Sequence, residues 1–143
     1  MKTLKNTFFL ACLLTVNFAF SALAKDKNNV QQTLTFSIDN YAEALKSGQS
    51  QYLSDILANN VKFNINRGGK IITYGKAEAL KENKQNGKII QNCEISHQVI
   101  AQSDTYALAN ISMKYENFTR ENIVSFTKQD GIWKITEVNS VFK

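Results

Sequence analysis

His97 is the only histidine in 143 residues, and Cys93 is the only cysteine beyond residue 12. An imidazole can serve as a base, a metal ligand or a charge that switches near neutral pH. A thiol can serve as a nucleophile or a ligand once it ionises. A metal site needs such groups clustered at short spacing, and that clustering is absent. Cys93 sits in an alternating apolar stretch, which predicts a buried, inert thiol. His97 shares that alternation with Ile95 and Val99. It reads as a hydrogen-bonded core or rim histidine, or as a base facing a cavity. Tyr41 falls on an apolar helical stripe, where its phenol bonds backbone or water, or touches a ligand. Trp133 packs a sheet against helices and can line the same space. Phe63, Ile65 and Met113, on the apolar faces of strands, complete the candidate lining. Between Arg67 and Lys88 stand six bases (Arg67, Lys70, Lys76, Lys81, Lys84, Lys88) and two acids, Glu78 and Glu82. That excess is a solvated helix face, or a basic rim that attracts an anionic ligand or a lipid headgroup.

The elements that must position these groups follow from periodicity. Val30, Leu34, Ile38, Tyr41 and Leu45 make one stripe of a helix over Val30 to Lys46, stopped by Ser47-Gly48. A second, short helix is predicted from Gln51 to Leu57, with Ser50 as its N-cap and Asn59-Asn60 as its breaker. Val61, Phe63 and Ile65 alternate with polar residues as a half-buried strand. Arg67-Gly68-Gly69-Lys70 turns it into a returning strand, Ile71 to Tyr74. The glycine pair lacks the spacing of a phosphate-binding loop. A helix with a thin apolar side spans Lys76 to Asn86.

From Lys88 the period is two. A strand from Lys88 to Gln102 puts Ile89, Cys93, Ile95, His97, Val99 and Ala101 on one face. Thr105 to Tyr115 returns with Ala107, Ala109, Ile111 and Met113 on one face. Phe118 to Lys128 follows, then a tight Asp130-Gly131 hairpin and a closing strand, Ile132 to Phe142. Helices segregated from antiparallel strands make the fold class α+β, with a long curved sheet wrapped against the first helix around a cavity.

Composition sets the frame. The chain carries 17 Lys+Arg against 12 Asp+Glu, 43% hydrophobic residues and no proline. That is ordinary for one globular domain and argues against disorder, collagen or coiled coil. Lys2 and Lys5, an apolar run from Phe8 to Phe20 and the small residues Ser21-Ala22-Leu23-Ala24 form a signal peptide, cut after Ala24. The apolar run is roughly 13 residues, short of the ~20 a membrane span needs. Cleavage leaves residues 25–143 as one domain with no stable membrane anchor. Two lysines leave with the leader, so the formal charge falls from +5 to +3. That mild excess gives no reason to expect nucleic acid.

The closing stretch narrows the fold. Residues Val124 to Thr136 run Val-Ser-Phe-Thr-Lys-Gln-Asp-Gly-Ile-Trp-Lys-Ile-Thr, and Val138-Asn139-Ser140-Val141-Phe142 continues them. This resembles the ending of small exported bacterial members of the nuclear transport factor 2-like superfamily, the lumazine-binding or polyketide-cyclase-like type. The resemblance spans residues 25–143. It implies a cone-shaped α+β fold, N-terminal helices on a curved antiparallel sheet, and a homodimer through the outer sheet face. The lumazine label is not carried over as an activity.

The superfamily also holds enzymes, ketosteroid isomerase and scytalone dehydratase among them. The isomerase-like pattern implies a helix tyrosine as oxyanion donor, a carboxylate base after the first strand and a second acid deeper in the sheet. Here the tyrosine falls on Tyr41 but the base on Ile65, between Asn64 and Asn66. The deeper positions read Ala107, Ala109, Ile111 and Met113. A dehydratase-like site needs an Asp beside His97, and Asp39 and Asp55 are the helix aspartates available. One match in three turns the reading away from catalysis. The expected function is an exported, non-catalytic protein that binds a small apolar or aromatic ligand, or a protein partner, and needs no cofactor. A lyase or isomerase and a structural accessory subunit are the alternatives. The sequons at Asn110-Ile111-Ser112 and Asn117-Phe118-Thr119 are incidental in a bacterial export path.

Overall fold

Thr33 opens the first helix because its hydroxyl oxygen accepts from the Phe36 N–H at 3.1 Å, satisfying a donor the first turn leaves free. The computed structural model describes residues 33–87 and 89–143, all within one unit. The predicted signal peptide, Val30 and Lys88 lie outside the described residues. Helix α1 spans Leu34–Ser47 and ends on Gly48, whose φ of 66° is the left-handed C-cap. It buries Leu34, Ser37, Ile38, Tyr41 and Ala44 against the sheet. Ser37 is accommodated there because its hydroxyl donates to the Trp133 carbonyl at 2.8 Å.

Helix α2 is a single turn, Leu53–Ile56, capped by Tyr52 rather than Ser50. Ser50 still serves this bend, since its hydroxyl accepts from the Tyr52 N–H at 3.3 Å. Strand β1, Leu57–Arg67, begins at once. Asn59 and Asn60, expected to break a helix, instead fall inside β1 where its pairing shifts register. A bulge tolerates two exposed polar residues without ending the strand. Gly68 and Gly69, at φ 56° and 75°, turn the chain into β2, Lys70–Tyr74. Helix α3, Lys76–Asn86, has the predicted bounds, and its Glu78 carboxylate accepts from the Gly75 N–H at 3.1 Å.

Four strands follow: β3 Glu94–Gln102, β4 Tyr106–Lys114, β5 Thr119–Gln129 and β6 Ile132–Phe142. The sheet order is β2-β1-β6-β5-β4-β3. Every pairing is antiparallel except β1 with β6, which is parallel. The first and last strands are therefore neighbours in the middle of the sheet. The predicted Asp130-Gly131 hairpin has φ values of 51° and 79°. The architecture is α+β, with the helices packed on one face of a curved six-stranded sheet.

That covered face carries Ala107, Ala109, Ile111 and Met113 from β4, Val124 and Phe126 from β5, and Trp133, Ile135 and Val138 from β6. The opposite face carries polar pairs beside apolar Leu108 and Ile123. There Asn64 donates to both Glu137 and Asn139 at 3.0 Å, and Asn110 donates to Glu121 at 2.8 Å.

Strand β3 departs from its expected reading in two ways. It starts at Glu94, not Lys88. A bulge between Val99 and Ala101 then pairs Ala101 with Leu108, taking Ala101 off the face that carries Ile95, His97 and Val99. His97 does share the covered face by register, opposite Ile111. It is nonetheless exposed, because packing on this edge strand stops at half-buried Ile95. No helix of the described residues is long and apolar enough to cross a membrane.

Candidate binding site

A cavity of about 170 Å³ lies between the three helices, β1, β2 and the start of β5. Tyr41 and Ala44 of α1, Phe63 of β1, Tyr74 of β2, Glu82 of α3 and Arg120 of β5 supply its functional lining. Ile89 and Gln91 close one side. This side is tethered to the end of α1: the Gln91 N–H donates to the Lys46 carbonyl at 2.7 Å, and the Gln49 side chain donates to the Gly87 carbonyl at 2.7 Å.

The aromatic wall is a pair. Phe63 and Tyr74 are register partners on β1 and β2, and their rings stack at 5.0 Å and 6°. Tyr41 is 3% exposed and lines the cavity. Burial pushes its phenol far above the usual range, more than the nearby Arg120 charge pulls it down, and Tyr74 adds a small upward push. Burial also raises Tyr74, helped by Glu82 and Glu78 and opposed by Arg120. Both phenols are therefore hydrogen-bond donors at neutral pH.

Arg120 is the cation of the site. Alternation along β5 puts it on the same face as Asn122, Val124 and Phe126. Its Nη2 donates to Ser140 Oγ at 3.1 Å. Ser140 Oγ in turn donates to Asn122 Oδ1 at 2.7 Å, and Asn122 Nδ2 donates to the Ile111 carbonyl at 3.0 Å. Asn122 and Ser140 are fully buried. The guanidinium lies 5.8 Å from the centre of the Phe142 ring. Its Nε is buried with no partner, and no described carboxylate pairs with it.

Six residues were expected to line the cavity, and the structure brings two of them together there, Tyr41 and Phe63. Ile65 lies one step further along β1, half-buried opposite Ser140. Met113 is sealed in the sheet beside Arg120, its register partner. Trp133 is core, with Lys128 Nζ 6.0 Å from its ring. His97 is exposed on β3, so it is not a cavity base. Asp39 and Asp55 are exposed as well, and neither lines the cavity. Arg120, Asn122 and Ser140 were missed. The signal for them was present: the alternation that sets Val124 and Phe126 inward reaches Asn122 and Arg120 in two more steps.

Cys93 is half-buried and free. Among the described residues no three His, Cys, Asp or Glu side chains gather to hold a metal. The site thus offers one fixed guanidinium, two protonated phenols, an aromatic stack and the solvent-exposed carboxylate of Glu82.

A family model described as "Putative lumazine-binding" matches residues 28–143. No curated protein matches the chain. Among solved structures, a nuclear transport factor 2-like protein of unknown function from Silicibacter pomeroyi DSS-3 aligns with TM-score 0.66 at 11% identity, covering 83% of this chain and 98% of that one. Another such protein, from Methylobacillus flagellatus KT, aligns with TM-score 0.58 at 20% identity over 83% and 93% of the two chains. A structure described as a putative ketosteroid isomerase from Shewanella frigidimarina NCIMB 400 aligns with TM-score 0.55 at 23% identity, covering 73% of this chain and 91% of that one. At these identities the likeness carries the fold, which is nuclear transport factor 2-like.

Proposed function

The chain belongs to the family described as putative lumazine-binding, and from that footing we propose that it is an exported, non-catalytic protein that binds a small, largely apolar molecule in the cavity between its helices and sheet. The observation that carries this reading is the cavity itself, walled by Tyr41, Phe63 and Tyr74 and left unfilled by its own side chains. A volume of about 170 Å³ is below the roughly 300 Å³ of a typical ligand pocket, so the ligand is held to about one ring in size. The position where an isomerase-like base would stand is Ile65, which supports a binding role over proton transfer. The family match starts at residue 28, after the expected cleavage site, which supports reading the preceding apolar run as a leader. The homodimer implied by the resemblance, through the outer sheet face, is part of the same proposal.

Native mass spectrometry of protein expressed from the full chain and recovered from the exported fraction tests all three elements. The expected result is a chain shortened by 24 residues, a dimer, and a reproducible adduct the size of a small organic molecule. Full-length protein retained in the cytoplasm would sink the export element. A bare monomer that takes up no single-ring probe at millimolar concentration would sink the binding element.

One observation favours a second reading. Tyr41 and Glu82 line the same cavity, a buried phenol donor and a carboxylate base. Such a pair supports lyase or isomerase chemistry on an enolisable carbonyl compound. Slow deuterium exchange into such a compound, lost in Glu82→Gln, would replace the binding reading with the enzymatic one.

A further inference from the structure

We propose that Arg120 makes the cavity a receptor for a monocarboxylate whose apolar body is about one ring in size, the guanidinium pairing with the carboxylate while the ring lies against the Phe63–Tyr74 stack. This rests on the binding reading above and specifies its ligand.

Three observations carry it. First, Arg120 is a charge without a counter-charge. Its Nε is shut off from solvent without a partner, and no described carboxylate pairs with it. A buried charged donor left unmet is among the costliest arrangements in a folded protein, so an incoming anion gains what the fold withholds. Second, the group is aimed. Ser140 and Asn122, both fully buried, serve as a hydrogen-bond relay from the guanidinium to the Ile111 carbonyl. A core that needed only packing would place apolar side chains there. Two buried polar residues fixing one arginine are what recognition by a planar, bidentate group requires. Third, the surroundings favour a carboxylate on a small ring. The Tyr41 phenol, which lines the same cavity as Arg120, is a second donor. The stacked rings offer a flat apolar wall, and the volume admits a single ring.

Calorimetry with benzoate, its neutral amide benzamide, and hexanoate tests the inference, with protein expressed from the full chain. Benzoate is expected to bind at least about tenfold more tightly than benzamide, the difference a charge-assisted hydrogen bond supplies. Arg120→Gln is expected to weaken benzoate far more than benzamide and so erase that preference. Arg120→Lys, which keeps the charge but not the fork, is expected to retain part of it. Ser140→Ala, which keeps the charge but frees it from its relay, is expected to weaken benzoate by a smaller factor and serves if the Arg120 variants do not fold. Hexanoate binding as tightly as benzoate would overturn the placement of a ring against the Phe63–Tyr74 stack and leave only the carboxylate contact. Equal binding of benzoate and benzamide, unaffected by Arg120→Gln, would overturn the anion inference and leave the cavity a neutral binding site. Binding of none of the probes would overturn the binding reading itself.

Discussion

Ser140 Oγ donates to Asn122 Oδ1 across 2.7 Å, and water reaches neither side chain. The bond joins the last strand, β6, to its neighbour β5 within the sheet. Asn122→Leu keeps the size but strands the Ser140 hydroxyl and the Ile111 carbonyl, at an expected loss of about 2 kcal/mol. Urea denaturation should show a lower midpoint with an unchanged slope. A variant as stable as the parent would mean that the relay contributes nothing to the fold.

The cavity tyrosines set an alkaline limit. Burial raises the Tyr41 phenol, so the folded chain keeps a proton that the unfolded chain releases at the ordinary value of 10.0. Stability from this source is whole below that pH and declines as pH rises beyond it. Phenolate absorbance during alkaline titration should show the Tyr41 and Tyr74 phenols silent until the protein unfolds. Tyr41→Phe should flatten the decline. A Tyr41 phenol that ionises reversibly near its ordinary value would contradict its burial.

Glu82 works against an anion in the cavity. It lines the same space from α3, exposed to solvent, and its charge already raises the Tyr74 phenol. Glu82→Gln should therefore tighten benzoate two- to fivefold, roughly the effect of one partly screened charge, and the gain should shrink at high salt. Weaker benzoate binding in this variant would make Glu82 a ligand contact instead.

Gly131 holds φ at 79° in the β5–β6 turn. Gly131→Ala must strain that conformation and should cost about 1 kcal/mol or more. Thermal denaturation is the measurement. Gly87, at φ −64°, needs no such freedom, but a Cβ there would lie 3.0 Å from the Asn83 carbonyl oxygen, so its replacement acts through crowding at the end of α3.

Much of the fold was readable because one period dominates each element. Lys76–Asn86 and Ile132–Phe142 came out with their observed bounds, and the Asp130-Gly131 turn with its positive φ values. The failures occurred where a local rule met a tertiary one. Asn59 and Asn60 look like a break, yet parallel pairing with β6 carries the strand through them. Ala101 fits the alternation of β3, yet one bulged residue moves it to the other face. His97 was assigned the right face by register, but sequence does not say how far the helices extend over a sheet. The site was less legible still. A search of the inward face for apolar residues finds Tyr41 and Phe63 and passes over an arginine. The β5 alternation already sets Arg120 on that face, and Ser140, twenty residues later, accepts its hydrogen bond there.

The parallel pairing of β1 with β6 has a consequence for the continuity of the sheet. Strand β6 lies between β1 and β5, so the two halves of the sheet have no direct bond to each other until the final residues are in place. Strand β1 forms a hairpin with β2 on one edge, and only its other edge depends on β6. The sheet is therefore continuous only when β6, Ile132–Phe142, lies between its two halves.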